Sequence, residues 1–152
     1  MLNLPTHEEQ LQILNETNTK YMKYIRVKCR QYQKQDEIKF RIPIQIIKEE
    51  NTCEIYKNNI LDISNLTEFT IEVRDLLRKS NMICYYCLEN IFIEYDESIR
   101  IKQWTLDRID NTKNHHVNNC IISCLQCNMK RHIKDSDKFK FTKQLKLEKL
   151  DE

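Results

Sequence analysis

The sequence predicts an α+β fold, and three observations predict it. Helical periodicity runs through much of the first eighty residues, two C-x-x-C pairs stand 36 residues apart, and short β-rich runs lie between those pairs. At 152 residues the chain is long enough for one domain of ordinary size, or for a small domain with an extension. The division we read is a mostly helical N-terminal extension over 1–80, a small cysteine-bearing domain over 81–135 and a C-terminal helix over 136–152.

In chain order, Thr6 and Glu9 have capping-box spacing ahead of Leu11 and Leu14, so a helix starts near His7 and runs on through Tyr21, Ile25 and Tyr32. Ile38, Phe40, Ile42, Ile44 and Ile46 then alternate with mostly polar partners, the period of a half-buried strand, and Pro43 confines that strand to an edge. Leu66, Phe69, Val73, Leu76 and Leu77 share one helical face, giving a helix that ends near Ser80 and Asn81 and leads into the first cysteine pair. Ile91–Tyr95, Ile99–Leu106 and Cys120–Ser123 read as short strands. Beyond Cys127 the chain is helical, and Asp135 to Asp137 reads as a stop followed by a new N-cap.

Charged residues make up 32% of the chain, yet the formal net charge is only +2, so any basic surface must be local. The strongest such segment is Lys20 to Arg41, with eight basic residues against Asp36 and Glu37, about +6. Glycine and alanine are absent, so turns that need a positive φ must use Asn or Asp, the next most tolerant residues. No apolar run approaches the roughly 18 residues of a membrane span, and the N-terminus lacks a basic stretch followed by an apolar core. An intracellular protein in a reducing compartment, with no membrane partner, is the expectation. The odd count of seven cysteines also favours metal over disulfides, and Cys29, Cys53 and Cys120 are expected to be free thiols that behave as small apolar residues.

Cys84, Cys87, Cys124 and Cys127 form two pairs, each able to supply two thiolates from one tight knuckle. Two knuckles brought together make a tetrahedral sulfur cage suited to Zn²⁺. Four protein thiolates leave no open coordination position, so this zinc is expected to fold the domain and not to activate water.

What lies between the pairs decides the function. It reads Trp104-Thr-Leu-Asp107-Arg108-Ile-Asp110-Asn111, then His115-His116-Val-Asn-Asn119, then Cys124-Leu-Gln-Cys127-Asn128. This order resembles the ββα-metal core of the HNH endonucleases, and L-D-R-I-D-N, H, N and C-x-x-C-N-x-x-R are similar to a zinc-bearing branch of that family found in phages and large DNA viruses. The resemblance covers about one third of the chain and makes the fold expected here a small zinc-stabilised ββα-metal (HNH) domain behind a helical extension.

The resemblance implies a metal-dependent endonuclease that hydrolyses phosphodiester bonds of DNA. It places a divalent ion, Mg²⁺ or Mn²⁺, on Asp107 and Asn128, where it would contact the scissile phosphate and the leaving oxygen. The chain departs from the family at Arg108, where most members have the His that acts as general base. Arginine is not deprotonated near neutral pH, so Arg108 is expected instead to clamp a phosphate oxygen through its planar fork. The base then falls to His115 or His116, and the family expects a His four residues before the Asn, which favours His115. Asn119 would orient that loop. Nucleic-acid contacts are expected from Arg108, Lys130 and Arg131, with His132 and the basic segment at 20–41 as further candidates. The alternative is a catalytically inactive zinc module of the same scaffold that binds nucleic acid or serves as a structural subunit, and Arg108 is its main support.

Overall fold

Thr6 opens the first helix by the reciprocal capping that its spacing from Glu9 predicts. Its backbone N–H donates to Glu9 Oε2 at 2.7 Å, and the Glu9 N–H donates back to Thr6 Oγ1 at 3.3 Å. The computed structural model describes residues 5–15, 19–40, 68–93 and 97–146. Helix α1 spans His7–Asn15, α2 spans Thr19–Phe40 and α3 spans Glu68–Lys79. Strands β1 (Trp104–Arg108) and β2 (Cys120–Cys124) follow, then α4 (Leu125–Arg131) and α5 (Ser136–Gln144). Mixed helices with one two-stranded antiparallel sheet make this an α+β fold, as the sequence predicts. No described helix is long and apolar enough to cross a membrane.

The helices bury the faces that their apolar spacing requires. On α2, Tyr21, Met22, Ile25 and Cys29 are buried, and on α3 Thr70, Val73 and Leu77 are. All of these but Thr70 join Leu14 of α1 and Trp104, Leu106, Ile122 and Phe139 from the second half in one apolar cluster of the described residues. The described parts of the expected extension therefore share a core with the cysteine-bearing unit. Gln10 ties the two halves further: its Nε2 donates to the Ile91 carbonyl at 3.3 Å and its Oε1 accepts the Ile93 N–H at 3.0 Å. Lys28 Nζ donates to the Trp104 carbonyl and lies 4.6 Å from the centre of the Trp104 ring.

The register of the sheet places Trp104 opposite Cys124, Asp107 opposite Ile121 and Arg108 opposite Cys120. Only the last residue of β1 is not buried, because helices and the knuckles cover both faces. β2 passes directly into α4, with Cys124 as the N-cap: its Sγ accepts the Cys127 N–H at 3.4 Å. Asp135 caps α5 as expected, accepting the Lys138 N–H at 2.9 Å.

Four sequence expectations differ from the structure. Helix α2 carries Ile38 and Phe40, whose alternation predicts a strand; the stretch Gln33-Lys-Gln-Asp-Glu37 has good helix formers, and Ile38 is 82% exposed, so no strand face is buried there. Residues 41–46 of that expected strand, Leu66 and Cys53 lie outside the described residues. The strand expected over Ile99–Leu106 begins only at Trp104, because Glu97–Lys102 form a 3₁₀ helix with no buried residue to pin an extended run. Within Ile91–Tyr95, Phe92 makes an isolated parallel bridge to Gln103, and Tyr95 lies outside the described residues. The helix expected to run on from His7 through Tyr32 is two helices, α1 and α2.

The absence of glycine shows in the backbone. Asn81, Met82, Leu88 and His132 all take φ between 52° and 61°, the left-handed region that a side chain disfavours by roughly 1–2 kcal/mol. Leu88 follows the first knuckle directly. His132 ends α4, where its N–H donates to the Asn128 carbonyl at 3.1 Å.

Candidate functional site: a four-cysteine cluster and the cleft beside it

Cys84 and Cys87 come from the turn after α3, Cys124 ends β2 and Cys127 lies in the first turn of α4. Their four sulfurs lie within 4.8 Å of one another. A tetrahedral zinc with bonds of about 2.3 Å separates its sulfurs by about 3.8 Å, and Cys87 Sγ stands 3.9 Å from Cys124 Sγ. Four thiols this close cannot all ionise without a cation between them. Hydrogen bonds from Cys124 and Cys127 hold the Cys84 thiol far below its ordinary range, and its neighbours are pushed up. The donor set and the spacing fit zinc, as the sequence predicts, and a four-sulfur site is closed to substrate. Cys29 and Cys120 stay free and buried, and burial pushes both thiols up to about 12, so they are unreactive apolar residues.

Next to this cluster is a cleft of about 340 Å³ whose lining includes Asp107, Arg108, His115, Asn128 and His132. β1 delivers Asp107 and Arg108, the loop after it delivers His115, and α4 delivers Asn128. Asn119 organises the loop: its Nδ2 donates to the carbonyls of Asp110 and Asn114, both at 3.0 Å, and its Oδ1 accepts the Asp110 N–H at 3.0 Å. Asn128 Nδ2 donates to Thr105 Oγ1 at 3.1 Å, which fixes the amide against β1. Arg108 Nη1 donates to the Lys113 carbonyl at 3.2 Å and remains half-buried. His116 is exposed and caps the following turn, accepting the Asn118 N–H at 3.4 Å, so of the two adjacent imidazoles only His115 lines the cleft.

Asp107 is not an open ligand. Its Oδ1 accepts from Arg131 Nη1 and its Oδ2 from the Tyr86 hydroxyl, both at 2.6 Å, and its side chain is 5% exposed. Burial pushes the carboxyl above the usual carboxylate range, against the pull of Tyr86 and Arg131. The expectation for Arg131 is corrected here. It is 1% exposed and also donates to the carbonyls of Arg108, Ile109 and Lys134 at 2.6, 3.0 and 2.9 Å, so it is an internal clamp that cannot reach a nucleic acid. Lys130 is exposed on α4 and stays available.

The wall of the cleft opposite β1 comes from α2. Tyr32, Gln35 and Lys39 line it. The Tyr32 hydroxyl accepts the Leu106 N–H at 3.1 Å, and its ring centre is 4.6 Å from that of His115. Asp36 lies beside them and holds His115 twice: its Oδ1 is within hydrogen-bond distance of the ring Nδ1, at 2.8 Å, and its Oδ2 accepts the backbone N–H at 2.7 Å. Burial lowers the His115 imidazole below its ordinary value, with Asp36 opposing. Tyr32 and Lys39 belong to the basic segment at 20–41 that the sequence offers for nucleic-acid contacts, whereas sequence reasoning missed Gln35, Asp36 and Tyr86 as site residues. The one available signal was an acid inside a strongly basic segment, which counts only as charge until the helix is placed. No family model matches the chain, and comparison with curated proteins and with solved structures found no match.

Proposed function

We propose that this chain is a nuclease of the HNH type that hydrolyses phosphodiester bonds, with DNA the expected substrate. The observation that carries the reading is the convergence of His115, Arg108 and Asn128 on one cleft of a strand, loop, strand and helix unit joined by the four cysteines. Zinc on those cysteines would stabilise the unit and take no part in the reaction. A neutral His115 can take a proton from water, which then attacks phosphorus in line. Arg108 and Lys39 are the cations on the cleft that can offset phosphate charge, and Arg108 can do so in the bidentate way that suits a phosphate.

The resemblance also implies Mg²⁺ or Mn²⁺ on Asp107 and Asn128. Asp107 as it stands does not fit that role, because its charge is matched by Arg131 and both its oxygens already accept strong hydrogen bonds. No step of the reading depends on that ion. The same pairing favours a second reading, a nucleic-acid-binding module that keeps the scaffold without the chemistry.

The test is cleavage of supercoiled plasmid and of a fluorogenic single-stranded oligonucleotide by zinc-loaded protein. It is run after gel filtration alone and again with added Mg²⁺ or Mn²⁺. Cutting by the parent and its loss by about 100-fold or more in His115→Ala, with an unchanged circular dichroism spectrum, is the expected result. Tight binding to DNA without cutting under any of these conditions would replace the nuclease by the binding module.

A further inference from the structure

Helix α2 lies outside the cysteine unit, yet it reaches into the cleft and grips the only imidazole of the β1–β2 loop that lines it. Asp36 and His115 are far apart in sequence and nearly buried together, their side chains 9% and 6% exposed. A clamp that only fastened the loop to α2 could use the backbone contact alone. Here the carboxylate meets the loop twice, once at the His115 N–H and once at the ring.

The geometry points to Asp36 as a positioning residue, which fixes His115 in the tautomer protonated at Nδ1 and so leaves Nε2 as the nitrogen that accepts the proton from the attacking water. This rests on the nuclease reading for its chemistry, though not for the tautomer. The backbone N–H of His115 can only donate, so Oδ2 must accept it. An ionised carboxylate is an acceptor at both oxygens, so Nδ1, facing Oδ1, must carry the proton. As water attacks, its proton passes to Nε2, its oxygen bonds to phosphorus, and the bond from phosphorus to the leaving oxygen breaks. The leaving oxygen takes a proton from solvent, and His115 later releases its own to solvent. In between, the imidazolium has the Asp36 carboxylate as its counter-ion. The Tyr32 ring lies against the imidazole, the charges of Arg108 and Asp107 from β1 act on it, and Lys39 from α2 and His132 at the end of α4 line the same cleft. Asp36 hydrogen-bonds the ring directly, at 2.8 Å.

The same geometry specifies what Asp36→Asn does. The amide oxygen must take the place that accepts the backbone N–H, which turns the NH₂ group toward Nδ1. An NH₂ group can only donate, so Nδ1 becomes the acceptor and the ring proton moves to Nε2, where it blocks the base. Shape and the backbone contact survive, and the tautomer is reversed.

Nitrogen-15 NMR of the histidine rings in the zinc-loaded full chain reads this directly, with His115→Gln assigning the resonance. The parent is expected to show His115 protonated at Nδ1 near neutral pH, and Asp36→Asn to show it at Nε2. Cleavage by Asp36→Asn falls about 100-fold or more, chiefly in kcat with KM within a few-fold. The acid limb of what activity remains moves to lower pH, because the nearby negative charge is gone. Asp36→Glu keeps the charge and recovers part of the rate. A parent protonated at Nε2 overturns the inference whatever the variants do, and so does an Asp36→Asn protein that reverses the tautomer and cuts at the parent rate. A parent that shows the Nδ1 tautomer and cuts nothing overturns the nuclease reading and the catalytic role with it, while the spectrum upholds the tautomer. If Asp36→Asn does not fold, the parent spectrum and the rate of Asp36→Glu decide the case.

Discussion

Replacing Arg131 by Met is the perturbation whose cost the structure specifies most fully. Arg131 is 1% exposed and gives hydrogen bonds to four acceptors: Asp107 Oδ1 and the carbonyls of Arg108, Ile109 and Lys134. Methionine fills similar space with no donor, so the change leaves a buried carboxylate without its cation and three carbonyls short of a partner. Removing one member of a buried ion pair costs about 3–5 kcal/mol, a large share of the roughly 5–15 kcal/mol that holds a domain together. At about 2–4 °C per kcal/mol for a chain of this size, the midpoint of thermal unfolding should drop by about 6–20 °C. Urea unfolding with zinc held in constant excess measures the loss, with the slope m unchanged.

The pH dependence of that loss carries a second signature. Without Arg131, burial acts on Asp107 against only the hydrogen bond from Tyr86 and the charge of Arg108, and pushes its carboxyl further up, so the folded variant binds a proton more tightly than the unfolded chain. A group with a raised folded value contributes stability at low pH that is lost as pH rises through that value. The gap between parent and variant should therefore narrow on acidification from pH 8 toward pH 5. In Arg131→Met with Asp107→Asn, which removes the orphaned charge, part of the stability returns at pH 8. A loss below about 1 kcal/mol, or a gap that widens toward acid, would refute the claim that Arg131 and Asp107 are a buried clamp.

Two further outcomes follow from the knuckles. Chelation, or Cys124→Ser, should expose Trp104, which is fully buried and paired with Cys124 in the sheet, so its emission shifts to the red and one equivalent of Zn²⁺ restores the chelated parent; emission and circular dichroism that ignore chelation would rule out a structural metal. Leu88→Gly should stabilise the zinc-loaded protein by about 1 kcal/mol in urea, since Leu88 holds φ 61° while 61% exposed, and relief of the left-handed backbone outweighs the packing lost; a lower midpoint would show that the Leu88 side chain matters more than its backbone.

Several features were legible along the chain because their physics is local. The Thr6 and Glu9 capping box needs residues only three apart, and the cap at Asp135 needs only the turn after it. The two cysteine pairs announce a metal because a knuckle sets its own geometry, and the closeness of the four sulfurs follows once the pairs meet. The strand read over Ile38–Ile46 failed at its start because a two-residue period says nothing about whether a second sheet face exists to bury it. In the structure Ile38 sits on the exposed side of α2.

By itself, then, the sequence determined the α+β class, the caps, the four sulfur ligands and the choice of His115 over Arg108 as a group that can carry a proton, because each follows from residue chemistry at short spacing. Only the tertiary structure decided the character of the cleft. It turned Arg131 inward onto Asp107, and it brought α2 across so that Asp36, which in the sequence is one of two acids among eight cations, meets His115 from 79 positions away. The physical reason is that charge and hydrogen bonding act through space. Burial of the shared core sets which side chains face each other, and no spacing along the chain records that.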